Sequence, residues 1–344
     1  MANKMSIVLF VVATLHAQTA NPSCEELAVA SIRLIVPNTT GSTYDVYART
    51  MRPALQTTLG TEIYIDNVSG GGGIVAARTV ALANPDGSTI SIMNGAGILS
   101  AALAGRANVP SLMQDFQILG KASPMQHVWA VASNSDIRSV ADLRQAAEQS
   151  PLVFGVRNIA STSFTSLAVG AHLLNLPHVF VSGYASNRDT RLALMRAELD
   201  LTSMDLSSGA RQLSQGLLRA VLQISDREFD NPVDVSRIET LADHVRMTSE
   251  TRGEQARIGR ALLGLLGMNR LFVAPAGLSP GLQACMQAGI ATALGDATVI
   301  AALRYRASNT RFVNAHAVRS ELFDVIDSLP LLEPIISAAT QRLR

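Results

Sequence analysis

From Ile32 onward, short apolar runs alternate with stretches whose apolar side chains recur every three or four residues. The run IRLIV (32–36) predicts a buried strand. Tyr47, Met51, Leu55 and Leu59 then fall at helical spacing, up to Gly60, a residue suited to end a helix. Pro53, inside that stretch, predicts a kink. EIYIDNV (62–68) and STISIMN (88–94) predict two further strands. A glycine-rich loop and the helical stretch IVAARTVALA (74–83) follow the first of these, and the helical stretch GAGILSAALAG (95–105) follows the second. Three strand–loop–helix units in a row predict a parallel sheet covered by helices.

The alternation restarts near residue 127. HVWAVAS (127–133), PLVFGV (151–156), VFVSGY (179–184), LDLTSMD (199–205) and LRAVLQIS (218–225) predict strands. Helices are expected over 139–150, where Ser139 is the N-cap and Asp142 lies in the first turn, over 163–175 and over 189–198. An irregular stretch, 226–245, precedes a helix over 251–266 and the strand RLFVAP (270–275); the remainder reads as mostly helical. The expected organisation is a discontinuous lobe one, 25–126 plus 271–344, and an inserted lobe two, 127–270.

With 344 residues, 48% hydrophobic and 16% charged, the chain has enough apolar material for two well-filled cores. A net charge of +1 excludes the electrostatic footprint of a nucleic-acid binder. Lys4 and Lys121 are the lysines among 28 basic residues; the rest are arginines, read first as codon bias and second as a preference for carboxylate partners. Residues 1–20 combine Lys4, an apolar run Ile7–Leu15 and small residues at Ala17 and Ala20, the pattern of a cleaved secretory signal rather than a membrane span. A periplasmic protein is therefore expected. In an oxidising compartment Cys24 and Cys285 can pair, and a Cys24–Cys285 disulfide is favoured over two free buried thiols. The six histidines show no metal-ligand spacing, so no metal and no cofactor are expected.

Candidate chemistry concentrates in loops after strands. Gly71, Gly73 and Ala76 satisfy a G-x-G-x-x-A pattern, but the next strand ends at Asn94 rather than at the acidic residue a dinucleotide site needs. There is neither a P-loop nor a G-x-S-x-G elbow. Asp86 reads as a turn residue, Glu198 as a solvated helix end and Asp45 as a complement to its helix's first turn, while Asp205 ends a strand facing the presumed cleft. No nucleophile, base and orienting group converge, so an enzyme is not expected. What remains is a set of loops, 38–45, 69–74 and 94–97 in lobe one and 157–164, 182–188 and 205–208 in lobe two, at the edge where open α/β sheets bind ligands. Arg157 adds a charge near the mouth, and Tyr44 and Tyr184 are candidates for an aromatic wall.

The segments IRLIVPNTTGSTYDVYAR, NVSGGGG, ANPDGSTISIMNG, VFVSGYASNRDTRLALMRAELD and RLFVAPAGLSP, in this order and spacing, resemble the extracytoplasmic receptors of the tripartite tricarboxylate transporter system, the Bug receptor family. The resemblance runs from about Ser31 to the C-terminal helices. It implies a two-domain α/β periplasmic-binding-protein fold (Venus flytrap, type II-like) with a ligand cleft between the lobes. It implies capture of a small carboxylate, a di- or tricarboxylate or an aromatic acid, and delivery to membrane transporter subunits, by a monomer. Carried over, the carboxylate cradle is Asn38–Asp45 with Ser69–Ile74. The expected ligand-binding set is Thr40, Gly41, Ser42, Thr43, Tyr44, Asp45, Gly71, Gly72, Gly73, Asn94, Ser161, Thr162, Ser163, Tyr184 and Asp205. Where such receptors carry Pro-Gly-Gly in the first loop, Thr40, Gly41 and Ser42 stand here; where they carry Asn-Arg, Asn67-Val68 stands; and Ile159–Thr162 replaces glycines in lobe two. The alternatives are a two-domain α/β enzyme with a nucleotide cofactor and an orphan receptor that senses a ligand with a partner.

Overall fold

The computed structural model describes residues 24–123, 125–229, 238–245, 253–305 and 310–343. The expected leader, 1–20, lies outside them. The chain first forms β1 (Ser31–Val36), α1 (Thr43–Leu59), β2 (Glu62–Asn67), α2 (Ile74–Ala81), β3 (Thr89–Met93), α3 (Gly95–Leu103) and β4 (Phe116–Ser123). Next come β5 (His127–Ala132), α4 (Val140–Gln149), β6 (Leu152–Gly155), α5 (Thr162–Leu174), β7 (His178–Val181), α6 (Asn187–Met195), β8 (Leu201–Asp205), α7 (Leu206–Ser214), β9 (Leu218–Gln223), α8 (Leu241–His244) and α9 (Glu254–Gly267). The chain returns through β10 (Leu271–Pro275), α10 (Pro280–Gly295), α11 (Ala297–Tyr305), β11 (Arg311–Asn314), α12 (Ala315–Ser328) and α13 (Glu333–Thr340).

Among the described residues these strands form two sheets, ordered β11-β4-β10-β3-β1-β2 and β7-β6-β8-β5-β9. The two-lobed α/β architecture expected from sequence is present. The prediction of a parallel sheet holds for part of each lobe. β1 pairs in parallel with β2 and β3, and β6 with β7 and β8. β10 instead runs antiparallel between β3 and β4, and β5 runs antiparallel between β8 and β9. These two antiparallel strands begin where the chain crosses between the lobes. Their first residues therefore lie beside the last residues of β3 and β8: Leu271 opposes Met93, and His127 opposes Asp205.

α1 begins at Ser42, whose hydroxyl accepts from the Asp45 N–H at 3.3 Å, and runs through Pro53 to Gly60, which closes it at φ 65°. Its buried stripe of Tyr47, Met51, Leu55 and Leu59 packs with Ile32, Leu34, Met286 and Ile290 in a core on one face of sheet one. A second core joins the lobes: Ile35, Met93 and Leu99 of lobe one share it with Trp129, Phe154 and Phe164 of lobe two and with Leu262 and Leu266 of α9. A buried hydrogen bond from Thr165 to Ser100, 2.9 Å, crosses within it.

The last segment of 271–344, expected in lobe one, makes contacts with lobe two. α13 lies against α5, and the Phe180 N–H of β7 donates to the Arg342 carbonyl at 3.0 Å. An unpaired β7 edge gains a partner this way. Cys24 and Cys285 form a disulfide, Cα–Cα 5.2 Å, that fastens the short helix Cys24–Glu26 to α10.

Candidate functional site

Three loops of lobe one and three of lobe two converge on a cavity of about 740 Å³. Each loop leaves the carboxyl end of a strand and opens a helix: α1, α2 and α3 on one side, α5, α6 and α7 on the other. The first N–H groups of a helix lack partners within it, and the aligned peptide dipoles make that end positive. Five of these ends border the space, and α2 reaches it only through Gly72 of the loop before it; such a ring suits an anion.

Several cavity-lining polar residues are committed to capping these helices. Ser161 accepts from the Phe164 N–H at 3.3 Å, Asn94 from Gly97 at 2.9 Å and Asp205 from Ser208 at 3.1 Å, in each case through a side-chain oxygen. Their caps fix the helix ends in place, and two neighbouring donors are also taken: the Ala96 N–H by the Met268 carbonyl at 2.9 Å and the Leu206 N–H by the Gln126 carbonyl at 2.7 Å. Ser163 lies 2.9 Å, oxygen to oxygen, from Ser161.

Of the expected binding residues, Thr40, Gly41, Ser42, Thr43, Tyr44, Gly72, Asn94, Ser161, Thr162, Ser163 and Asp205 line the cavity. Asp45, Gly71, Gly73 and Tyr184 are not among the lining residues. The Asp45 carboxylate turns away, accepting from Arg49 Nε at 3.0 Å and from the Gly41 N–H at 2.8 Å. Burial would raise its pKa, but the Arg49 guanidinium and the Gly41 N–H outweigh burial and hold it below the usual carboxylate range. Asp45 therefore shapes the first loop from beneath. Gly71 is exposed, and Gly73 is buried behind Pro37, 3.6 Å from where a β-carbon would stand. Tyr184 packs on the far apolar cluster of lobe two with Val153 and Val181.

The lining also contains His127, Arg191, Arg211 and Asn269, which sequence reasoning passed over, and Arg188, which it placed in a candidate loop without singling it out. His127 and Asn269 are there because β5 and β10 are antiparallel, so that segments beginning these strands, not ending them, reach the cleft. Tyr44 donates its hydroxyl proton to Asn269 Oδ1 at 3.1 Å and accepts from the Arg270 N–H at 3.4 Å. The buried Arg270 guanidinium stacks 5.0 Å from the Tyr47 ring centroid, and its Nη2 lies 3.9 Å from Asp205 Oδ1. Arg270 thereby links the tyrosine wall of lobe one to the carboxylate of lobe two. Burial raises the pKa of Tyr44 and takes that of Tyr47 to about 12, so both stay neutral donors.

Charges on the cavity wall are unbalanced. Among the described residues Arg157, Arg188, Arg191 and Arg211 line it, against Asp205 as the one lining acid. One signal for Arg188 and Arg191 was legible: both fall in the first five residues of a helix, where the positive dipole end disfavours cations. Among the described residues no cluster of three or more His, Cys, Asp or Glu could hold a metal.

His127 is 5% exposed, and neither ring nitrogen has a hydrogen-bond partner. Burial pushes its pKa below the ordinary imidazole value, with Arg270 adding to the effect and Asp205 opposing it. The folded protein therefore resists a proton that the unfolded chain accepts. Stability is expected to be fully present above about pH 6.5 and to fall below it, by up to about 1.4 kcal/mol per pH unit from this group. His178, lowered mainly by burial, acts in the same direction. Urea midpoints at pH 7.5 and 5.5 check this: His127→Gln should flatten the slope, and a slope equal to the parent's would refute the assignment.

The sequence profile of the family described as "Tripartite tricarboxylate transporter family receptor" matches residues 47–249. A UPF0065 protein of Bordetella pertussis is 26% identical over 197 residues, which is 55% of this chain and 59% of that protein. A UPF0065 protein from a tcbD–tcbE intergenic region of Pseudomonas sp. is 25% identical over 214 residues, 62% of each chain. The chain thus spans about 60% of the length of these two curated relatives. Solved structures share the fold. A Rhodopseudomonas palustris protein with adipate superposes at TM-score 0.72 with 22% identity, covering 89% of this chain and 97% of that one. The periplasmic binding protein BugD superposes at 0.70 with 16% identity, covering 91% and 99%. MatC of R. palustris, with bound malate, superposes at 0.68 with 21% identity, covering 90% and 99%. By the profile match, which spans more than half of its length, the chain belongs to the receptors of the tripartite tricarboxylate transporter family.

Proposed function

We propose that this protein is an extracytoplasmic solute-binding receptor that captures a small carboxylate between its lobes and presents it to the membrane subunits of a tripartite tricarboxylate-type transporter. The observation that carries this reading is the cavity itself: five helix N-termini and the glycine loop ahead of α2 converge on it, and its wall holds four arginines and one aspartate. Such a lining stabilises an anion and repels a cation. The family membership and the malate and adipate in two structural neighbours support a carboxylate as that anion.

Ligand bridges the two lobes, and its contacts to both stabilise the closed arrangement over the open one. The reading places the mature protein in the periplasm, as a monomer, with its leader removed ahead of Cys24. Such cleavage retains the cysteine that pairs with Cys285, and the compartment is one in which the bridge persists.

A ligand that binds only the native state raises its melting point, by about 2.7 kcal/mol of stabilisation at a hundredfold excess over Kd. A thermal-shift screen of mono-, di- and tricarboxylates and aromatic acids on the mature chain is expected to yield at least one clear rise. No rise with any of them, on folded protein, would remove the carboxylate reading.

A further inference from the structure

A second cavity, of about 480 Å³, lies away from the cleft, between the C-terminal end of α5, the approach to β7, and α13. Its size is that of a small-molecule pocket, about 300–1,000 Å³. It shares no residue with the cleft, which α5 reaches by its other end, at Thr162 and Ser163. Ala168, Ala171 and Ile335 give it apolar walls, and His172, His178 and Arg342 give it its titratable groups. Among the described residues no acid lines it.

His178 is 6% exposed and held on several sides. Phe154 stacks on its ring, centroids 4.9 Å apart and planes 8° apart, and Phe180 stands at 80° to it with centroids 5.0 Å apart. Nδ1 lies 2.7 Å from the Leu176 carbonyl oxygen, which can only accept, so Nδ1 carries the proton. Burial foremost pushes the ring's pKa down; the Leu176 carbonyl opposes this and the Arg342 charge adds to it. In the neutral ring Nε2 therefore holds a lone pair, and this atom is buried without a partner. A buried acceptor with no donor is costly, and Nε2 is the polar atom that His178 has left to offer the cavity. The negative pole of α5, capped at Asn175 on the same wall, also favours a donor there.

The rim asks for the opposite. Arg342 is exposed on the turn after α13, and the Phe180 N–H, donating to its carbonyl at 3.0 Å, fixes that turn beside β7. Its guanidinium is a permanent cation with a fork of donors that matches a carboxylate. A complementary molecule carries a strong hydroxyl donor at one end, an apolar body and a carboxylate at the other.

We propose that this cavity is a second ligand site, for a phenolic acid whose hydroxyl donates to His178 Nε2 and whose carboxylate meets Arg342. The site is independent of what the cleft binds.

The test is calorimetry on the mature chain with 4-hydroxybenzoate, benzoate and phenol, repeated in Ala338→Trp, His178→Phe and Arg342→Gln. Ala338 is exposed on α13 and lines the cavity, so tryptophan there should fill it without disturbing a core. 4-Hydroxybenzoate is expected to bind the parent at a site that Ala338→Trp loses, at least tenfold more tightly than benzoate or phenol. His178→Phe keeps an aromatic ring on Phe154 and removes the acceptor, so the preference over benzoate should collapse towards one. Arg342→Gln should do the same to the preference over phenol. Should His178→Phe not fold, Arg342→Gln, at an exposed position, carries the test alone. Identical titrations of parent and Ala338→Trp with 4-hydroxybenzoate, binding absent from both included, overturn the site. Equal affinity of the parent for 4-hydroxybenzoate and either simpler probe, or an unchanged preference in either folded variant, overturns the assignment of His178 and Arg342.

Discussion

Gly72→Val is expected to abolish ligand binding in a protein that still folds. Gly72 holds φ 73°, a left-handed conformation that a β-branched residue adopts only under strain of roughly 1–2 kcal/mol. A β-carbon there would stand 3.7 Å from the Ala160 carbonyl oxygen and 4.0 Å from Arg157 Nη2, both across the cleft. That first atom fits, but the two methyl groups of valine extend further, into the gap through which the lobes approach. The loop is at the surface of its lobe and outside both cores, so the lobes themselves should survive. Gly72→Ala separates the contributions, since it keeps the backbone strain with little of the bulk, and it should weaken binding partially. By comparison Ser42→Ala and Thr43→Ala remove one hydroxyl each and should weaken binding only by about 0.5–1.5 kcal/mol. Calorimetry with the strongest ligand of the carboxylate screen, beside circular dichroism, decides the matter. A folded Gly72→Val protein that binds as tightly as the parent would take the glycine loop out of the site.

Cys24→Ser is expected to give the largest loss of stability of any change outside the cores. The bridge joins residues 261 apart, so it restricts nearly the whole unfolded chain. The loop-entropy account puts the stabilisation at about 5 kcal/mol as an upper figure. Serine at position 24 leaves the partly buried end of the molecule nearly unaltered, whereas a change at Cys285, 1% exposed within α10, would add a packing defect. The same segment is also held by the Ser279 hydroxyl, which donates to Glu26 at 2.5 Å, so its docking should persist in part without the bridge. Urea midpoints of Cys24→Ser and of parent protein under a reductant should coincide, both far below the oxidised parent. Two alkylatable thiols in the oxidised parent, or an unchanged midpoint in Cys24→Ser, would show that no bridge contributes.

Much of this molecule is a local matter. Apolar runs such as Ile32–Val36 and the helical stripe from Tyr47 to Leu59 specify their elements through side-chain periodicity alone, and Ser42, Ser139 and Ser161 begin helices because their hydroxyls reach backbone donors three residues on. The order of these elements was enough to expect two α/β lobes with loops gathered at one edge, and eleven of the expected binding residues do line one cavity. What the sequence did not determine depends on partners distant along the chain. β4 and β11 form because β10 and each other are there to pair with, and FQILGKAS carries a glycine and a lysine that blur its pattern. Asp45 turned out to serve Arg49 and the first loop, and Tyr184 a core, because rotamers follow from neighbours that no local pattern names. Strand direction had the largest consequence. Side-chain periodicity is the same whichever way a strand runs, so nothing local distinguishes β5 and β10 from their parallel neighbours. Only the assembled sheets place His127 opposite Asp205 and bring Asn269 and Arg270 beside the end of β3, and with them the charge balance of the site.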